Sequence, residues 1–169
     1  GIAGSLTGVP GVQINVSGGL VKVNKVSSGT SKLDWTAAAY STFGLDIPAT
    51  TDVELAGTVG VDVAGFAQAS GTFRLLSGRF TGSGGGATFT DQPLFDLSIT
   101  SPELFVGIGG SLSATTVTAG TVGLHVTATN LRLVSLTADG LSPLTYTGLQ
   151  ITGIAGSLTG VPGVQINVS

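Results

Sequence analysis

Apolar and polar residues alternate with a period of two along most of the chain. Between Val12 and Val16 the apolar residues share one face, while Gln13 and Asn15 share the other. The same alternation recurs downstream, with apolar positions at Val53, Leu55, Val59, Val61, Val63, Leu104, Val106, Ile108, Leu112, Val122, Leu124, Val126, Leu131, Leu133, Tyr146, Leu149 and Ile151. Such alternation is typical of β-strands with one buried and one wetter face. The pattern therefore predicts an all-β fold.

Helix signals are nearly absent, and turn signals separate the apolar runs. Only residues 35–40 have a helix-friendly composition, enough for a single turn. Residues 82–86 predict a flexible hairpin tip, and Pro93 and Pro102 predict strand starts or turns. Counting the runs gives about nine or ten strands, several of them long. We expect an elongated antiparallel β-meander closed as a barrel or a sandwich. A β-solenoid is the alternative, although no fixed period of about 20–30 residues runs through the chain.

The two ends of the chain carry the same sequence. Residues 1–17 and 153–169 both read GIAGSLTGVPGVQINVS, an identity over all 17 positions at an offset of 152 residues. The simplest interpretation is a tandem array, in which 1–152 is one β-rich repeat unit and 153–169 begins the next. A duplicated tag is the alternative explanation.

A segment that ends one repeat and begins the next can pass a strand across the junction. Copies of the chain would then be the partners, joined by main-chain hydrogen bonds as in β-augmentation. The positions predicted for this inter-repeat strand are Gly1, Ile2, Leu6, Val12, Ile14 and Val16, with their copies Gly153, Ile154, Leu158, Val164, Ile166 and Val168.

The composition excludes several classes of protein. The chain has 169 residues with 41% apolar content and a net charge of −3, which argues against disorder. It contains no cysteine, so a disulfide scaffold, a Cys-ligated zinc site and a thiol nucleophile are excluded. Six cations are too few for a basic nucleic-acid-binding face. The apolar runs are too short for a transmembrane segment.

No constellation of catalytic or ligating residues is visible in the sequence. His125 is the only histidine, and no Gly-x-Ser-x-Gly elbow accompanies it. The aspartates are dispersed, and the pair Asp52 and Glu54 is expected on a solvated strand face. Residues 82–86 lack the Lys-Ser/Thr of a phosphate-binding loop. We therefore expect no enzyme activity, no cofactor and no metal.

The stretch GIAGSLTGVPGVQINVS is duplicated at a period of 152 residues, and this period is rich in Gly, Thr, Ser and Val and poor in charge. In these features the chain resembles the tandem β-strand repeats of very large bacterial surface and adhesin-like proteins. The resemblance implies an extracellular or cell-surface location and a structural or adhesive task. The expected function is thus a structural repeat module of an extracellular fibre or giant surface protein. The alternative is a β-barrel module that binds an apolar ligand or lipid, lined by Phe43, Phe66, Phe73, Phe80, Phe89, Phe95 and Phe105.

Overall fold

A computed structural model describes residues 2–6, 11–29, 31–140, 143–161 and 166–168, with 2–6 and 166–168 described by their backbone alone. These residues form twelve strands and one 3-10 helix, Ala38–Phe43. The strands are β1 (Ile2–Leu6), β2 (Val12–Val23), β3 (Thr51–Val63), β4 (Ala67–Gly84), β5 (Ala87–Ile108), β6 (Ser111–Ser113), β7 (Thr116–Thr118), β8 (Val122–Thr127), β9 (Asn130–Thr137), β10 (Thr145–Thr152), β11 (Ala155–Thr159) and β12 (Ile166–Val168).

The main sheet is an antiparallel meander, which confirms the predicted all-β meander, whereas its closure as a barrel or a sandwich stays a prediction. β1 to β5 pair in sequence order, and β8 and β9 then lie end to end along the 22-residue strand β5. β10 and β11 lie end to end in the next position, against β9 and β8 respectively. β12 completes the path beside β11. No pairing among the described residues joins β1 to the far edge, so these residues form an open sheet.

The strand registers give the sheet two chemically different faces. The apolar face carries a row of leucines that crosses five strands. It has no charged residue from the row of Ser77 and Phe95 to the row of Ile108 and Val122, and Arg79, opposite Pro93, lies in the next row beyond Ser77. The leucine row consists of Leu55, Leu75, Leu97, Leu133 and Leu149. The polar face carries charged and hydroxyl side chains in the alternate rows. They include Glu54, Asp96, Arg74, Arg132, Thr58, Thr72 and Thr100.

Two chain segments cover the polar face rather than the apolar face. The β6–β7 hairpin lies on Gly60, where a side chain would come within 2.7 Å of the Ala114 carbonyl oxygen and 2.8 Å of Thr115 Cα. Next to this contact lie Phe105 and Gln68, the largest fully buried side chains in the described residues. Residues 24–50 cover the neighbouring end of the same face, because Thr50 lies directly above Gly78.

None of the described segments covers the apolar face in this way, which corrects the expectation that the apolar side of each strand is the buried one. Eight of its large apolar residues are 40–67% exposed, namely Val21, Val23, Val63, Leu104, Ile108, Leu124, Leu149 and Ile151. The folded chain exposes 10092 Å², whereas a compact monomer of 16.6 kDa exposes about 7,600 Å². The reason for the difference is that the chain builds a single layer of strands.

β5 passes through two positions at which the sequence predicted strand ends. Pro93 and Pro102 both lie inside this strand. Pro102 follows Ser101, whose φ is +49°, in a bulge that opposes Gly71 of β4. Proline is tolerated there because the extra residue of a bulge is left unpaired. The prediction of strand starts or turns at these two prolines was therefore wrong.

Two further strand assignments need correction, and two local predictions are confirmed. Leu112 belongs to the separate hairpin strand β6, and Tyr146 lies on the polar face rather than with Leu149. The hairpin tip within residues 82–86 is confirmed, since a turn at Gly85 and Gly86 joins β4 to β5. The single helical turn predicted at residues 35–40 is found slightly later, as the 3-10 helix.

Candidate inter-repeat interface

β11, which lies in the second copy of the duplicated sequence, is paired on both of its edges. On one side Ala155 to Thr159 align with Thr127 to Gly123 of β8, so that Leu158 lies opposite Leu124. On the other side Gly156, Ser157 and Leu158 align with Val168, Asn167 and Ile166 of β12. The second copy is thus built into the sheet that the first copy begins.

β1 and β2, which contain the first copy, pair in the same register. Gly4, Ser5 and Leu6 align with Val16, Asn15 and Ile14. Adding the offset of 152 residues to each of these numbers gives the three residue pairs between β11 and β12. Since the paired edge is the same, the opposite edge of β1 corresponds to the edge that β11 presents to β8. Among the described residues, that edge of β1 has no neighbouring strand.

The sheet incorporates most of the predicted inter-repeat residues. Val12, Ile14 and Val16 lie in β2 opposite Val63, Val61 and Val59 of β3, which places them on the apolar face. Ile2 and Leu6 lie in β1, and Ile166 and Val168 lie in β12. Gly1 and Val164 lie outside the described residues.

Gly153 and Ile154 form the short break between β10 and β11. Gly153 has a φ of +63°, a conformation that glycine adopts without strain. Any side chain at this position would collide with Thr129, whose backbone N–H donates a 2.9 Å hydrogen bond to the Thr152 carbonyl. Ile154 is 46% exposed and belongs to neither strand. Gly153 therefore lets the chain bend sharply between β10 and β11, so that the two strands lie end to end in the same position of the sheet.

Charged side chains on the polar face neutralise one another across neighbouring strands. Lys22 Nζ lies 2.9 Å from Asp46 Oδ2 and 3.6 Å from Glu54 Oε2, and Arg74 Nε lies 2.5 Å from Glu54 Oε1. The hydrogen bond with Asp46 and the neighbouring Glu54 charge raise the pKa of Lys22 above its ordinary value. Glu54 is only 7% exposed, so its carboxylate depends on these partners.

The prediction of a solvated face for Asp52 and Glu54 was wrong for Glu54, whereas the Asp52 side chain is 36% exposed. Asp52 pairs with Lys32 and also lies 3.8 Å from Arg79 Nε, while Glu54 is buried in its own ion pairs. The alternation alone does not reveal this, because Lys22 and Arg74 lie on the neighbouring strands β2 and β4, and Lys32 lies between β2 and β3. Sequence reasoning also missed the pair of Asp96 Oδ2 and Arg132 Nη2, which are 2.9 Å apart.

His125 makes one polar side-chain contact, with Glu103. Its Nε2 lies 2.8 Å from Glu103 Oε1, and both side chains are about 30% exposed on the polar face. Within the described part of the chain, no three His, Asp or Glu side chains gather closely enough to hold a metal ion. The hydrogen bond between His125 and Glu103 therefore has the geometry of a cross-strand surface contact.

An apolar groove of about 480 Å³ lies on the apolar face where the bulge bends the sheet. Its lining includes Val59, Ile99, Pro102, Leu104 and Leu131. None of the seven phenylalanines lines it, and they do not converge on one cavity. Phe105 and Phe89 are buried, whereas Phe43, Phe66 and Phe80 are exposed.

Among the described residues, no helix is long and apolar enough to cross a membrane. Comparisons of the chain with protein-family models, with curated proteins and with solved structures found no match.

Proposed function

We propose that the chain is a structural repeat module of an extracellular fibre or giant surface protein, similar to the tandem β-strand repeats of adhesin-like proteins. In this proposal residues 1–152 are one unit and 153–169 begin the next. Neighbouring units share a sheet: β11 is the first strand of the following unit and pairs with β8 of the preceding one. The proposed role is mechanical, without catalysis, cofactor or nucleic acid.

The observation that carries the proposal is the equal register of the β1–β2 and β11–β12 hairpins. Together with the β8–β11 pairing, it supplies the contacts that a junction between units needs. In the array, the free edge of β1 in each unit would pair with β8 of the preceding unit. Within this chain, β11, the second copy of β1, already makes that pairing with β8. The stack would then behave as a one-dimensional array of nearest-neighbour contacts.

The ion pairs support a role without nucleic acid. Lys22, Lys32, Arg74, Arg79 and Arg132 each lie within 4 Å of a carboxylate, so five of the six cations are already neutralised. Phosphate binding depends on cations that can replace the counterions of the nucleic acid. This chain has almost none to offer.

The array has a definite geometry. Each period contributes six long strand positions: the combined β10–β11 track, β2, β3, β4, β5 and the combined β8–β9 track. With strands about 4.8 Å apart, a unit advances the array by about 29 Å. The usual twist of about 20–25° between neighbouring strands rotates successive units by roughly 120–150°. Closure into a barrel or a sandwich would then involve neighbouring units.

Three truncated chains test the shared strand. Residues 1–152 and residues 18–169 each contain one complete period with a different breakpoint, so both should assemble head to tail into filaments. In the first, β1 pairs with β8 of a neighbour; in the second, the terminal hairpin fills the vacant edge of a neighbour's β3. Residues 18–152 lack both copies and serve as the matched control that should not form filaments.

Electron microscopy and sedimentation velocity provide the measurement. Filaments with an axial repeat of about 29 Å from the two single-period chains, and none from the control, are the expected result. If all three chains behave alike, whether monomeric or aggregated, strand sharing between repeats is refuted.

A second candidate function is suggested by the apolar groove. Its volume of about 480 Å³ falls within the usual range for small-molecule sites, and its lining is almost wholly apolar. The candidate is the binding of an apolar ligand or lipid. Organic extraction of the purified protein followed by mass spectrometry tests it, and an extract without lipid would eliminate it.

A further inference from the structure

We infer that the apolar face of the sheet is an interface between two copies of this chain, which pack face to face as the two layers of a β-sandwich. This interface is distinct from strand sharing, because it uses the face of the sheet and not its edges. The inference goes beyond the proposed function and does not depend on it.

The extent of the uncovered surface carries the first step. The chain exposes about 2,500 Å² more than a compact monomer of its mass. Stable homodimers bury about 2,000 Å² or more in total, counting both partners. Two chains together therefore have about 5,000 Å² of such excess surface, so an obligate interface needs to bury only part of it.

The chemistry of the face carries the second step. From the row of Ser77 and Phe95 to the row of Ile108 and Val122, this side of the sheet consists of aliphatic, aromatic or small uncharged residues; Arg79, opposite Pro93, lies in the next row beyond Ser77. Glu54, Arg74, Asp96 and Arg132 lie in the rows of the other face, where they are already paired, and Arg79 lies 3.8 Å from Asp52. A partner without charge therefore fits, and an identical face meets that requirement without leaving a buried charge unpaired.

The position of the covering segments carries the third step. Residues 24–29 and 31–50 and the β6–β7 hairpin lie over the polar face and leave the apolar face accessible. Sheets pack aligned at a separation of about 10 Å when their inner faces are apolar. Here no segment of the described chain occupies that space.

The width of the face favours a second copy over a small apolar ligand. The exposed residues reach from Val21 on β2 to Leu149 on β10, a span of five strand spacings, or about 24 Å. The groove near Leu104 occupies only part of this span. A ligand that filled the groove would leave Val21, Leu149 and Ile108 in water.

Two lysine substitutions on adjacent residues of β10 test the inference in the full 169-residue chain. Leu149→Lys introduces a charge on the apolar face at a side chain that is 63% exposed in the single chain, so the monomer should tolerate it. Gln150→Lys introduces the same charge on the polar face and is the matched control. Circular dichroism and thermal melts establish that both variants are folded.

Sedimentation equilibrium should find a dimer for the unchanged chain at about 100 μM. Leu149→Lys should raise the dimer dissociation constant at least about tenfold, because the new charge would be buried, while Gln150→Lys should leave it unchanged. A monomer at this concentration overturns the inference. So does a monomer that carries extractable lipid, which would identify a ligand as the cover of the face. Equal weakening by both variants also overturns it.

A cysteine probe separates face pairing from strand exchange. Because the chain has no cysteine, Leu149→Cys and Gln150→Cys each give one labelling site for an environment-sensitive fluorophore. As the protein concentration rises, the emission should shift to the blue for the label at position 149 and stay constant for the label at position 150. A dimer formed only by exchanged strands would leave both labels in water and would overturn the inference, whether or not the proposed array is correct.

Discussion

Three phenylalanines in different surroundings allow a direct test of where the folding core of a single chain lies. Phe105 is 0% exposed on the polar face, where its ring packs against the backbone of Gly110 below the β6–β7 hairpin. Phe73 is half-buried on the uncovered apolar face, and Phe66 is 58% exposed in the turn between β3 and β4. The same substitution, Phe→Ala, can be made at all three.

The burial of each side chain sets the expected loss of stability. Phe105→Ala removes a buried aromatic ring and leaves a cavity, which costs about 3–5 kcal/mol. Phe73→Ala removes a half-buried ring, so it loses about half of the transfer free energy of a phenylalanine side chain and opens no cavity. The expected loss of stability is about 1–2 kcal/mol. Phe66→Ala should cost less than about 1 kcal/mol. At about 2–4 °C per kcal/mol for a chain of this size, Tm should fall by about 6–20 °C for Phe105→Ala.

Urea titration, followed by the fluorescence of the single tryptophan Trp35 and by circular dichroism, measures these differences. The protein concentration is kept low, so that association does not contribute to the apparent stability. The reasoning is refuted if Phe73→Ala destabilises the monomer as much as Phe105→Ala. That result would place the core on the apolar face within one chain.

Two further outcomes follow from local contacts. Gly60→Val should detach the β6–β7 hairpin, since the new side chain would meet the Ala114 carbonyl oxygen at 2.7 Å or less. Gly84→Val is the control, because a side chain there meets nothing within 4 Å. Limited proteolysis should cut residues 109–121 faster in Gly60→Val only, and equal cutting of the two variants contradicts the contact. Hydrogen bonds donated by Thr90 lower the pKa of the Asp139 carboxyl, so its contribution to stability is present above the ordinary carboxyl pKa and is lost as the pH falls through the lowered value. Asp139→Asn should therefore flatten the acid limb of a Tm-against-pH curve, and an unchanged limb contradicts this assignment.

The strands could be predicted from the sequence because their period of two is strong. The residues of β3 from Val53 to Val63 divide between the two faces as the alternation indicates. The length of β5 could not be predicted in the same way. Pro93 and Pro102 are ordinary signals for a strand end, yet Pro93 lies in the ladder opposite Arg79, and the bulge at Ser101 lets the strand continue past Pro102.

The location of the core was not visible in the sequence either. Alternation identifies which residues share a face, but it does not say which face another segment will cover. The covering segments, residues 24–50 and 109–121, have no regular pattern. Glu54 and Phe105 consequently looked like an exposed carboxylate and one more apolar residue, although both are buried.

The candidate interface was partly predictable. The duplication is plain in the sequence, and it predicts that two segments have the same preference. The second partner of β11 is a different matter, because pairing with β8 depends on β8 and β9 lying end to end along β5. That arrangement arises from the sheet as a whole and not from any local motif.

The meander path also determines how the proposed array would respond to a pulling force. β1 and β12 occupy opposite edges of the sheet, so tension along the array acts across the strands and loads one strand pair at a time. Strands would then peel away singly, each step releasing a length of chain. One 152-residue period, about 29 Å long when folded, reaches about 500 Å when fully extended. Such an array would act as a shock absorber, lengthening in many small steps while its covalent backbone stays intact.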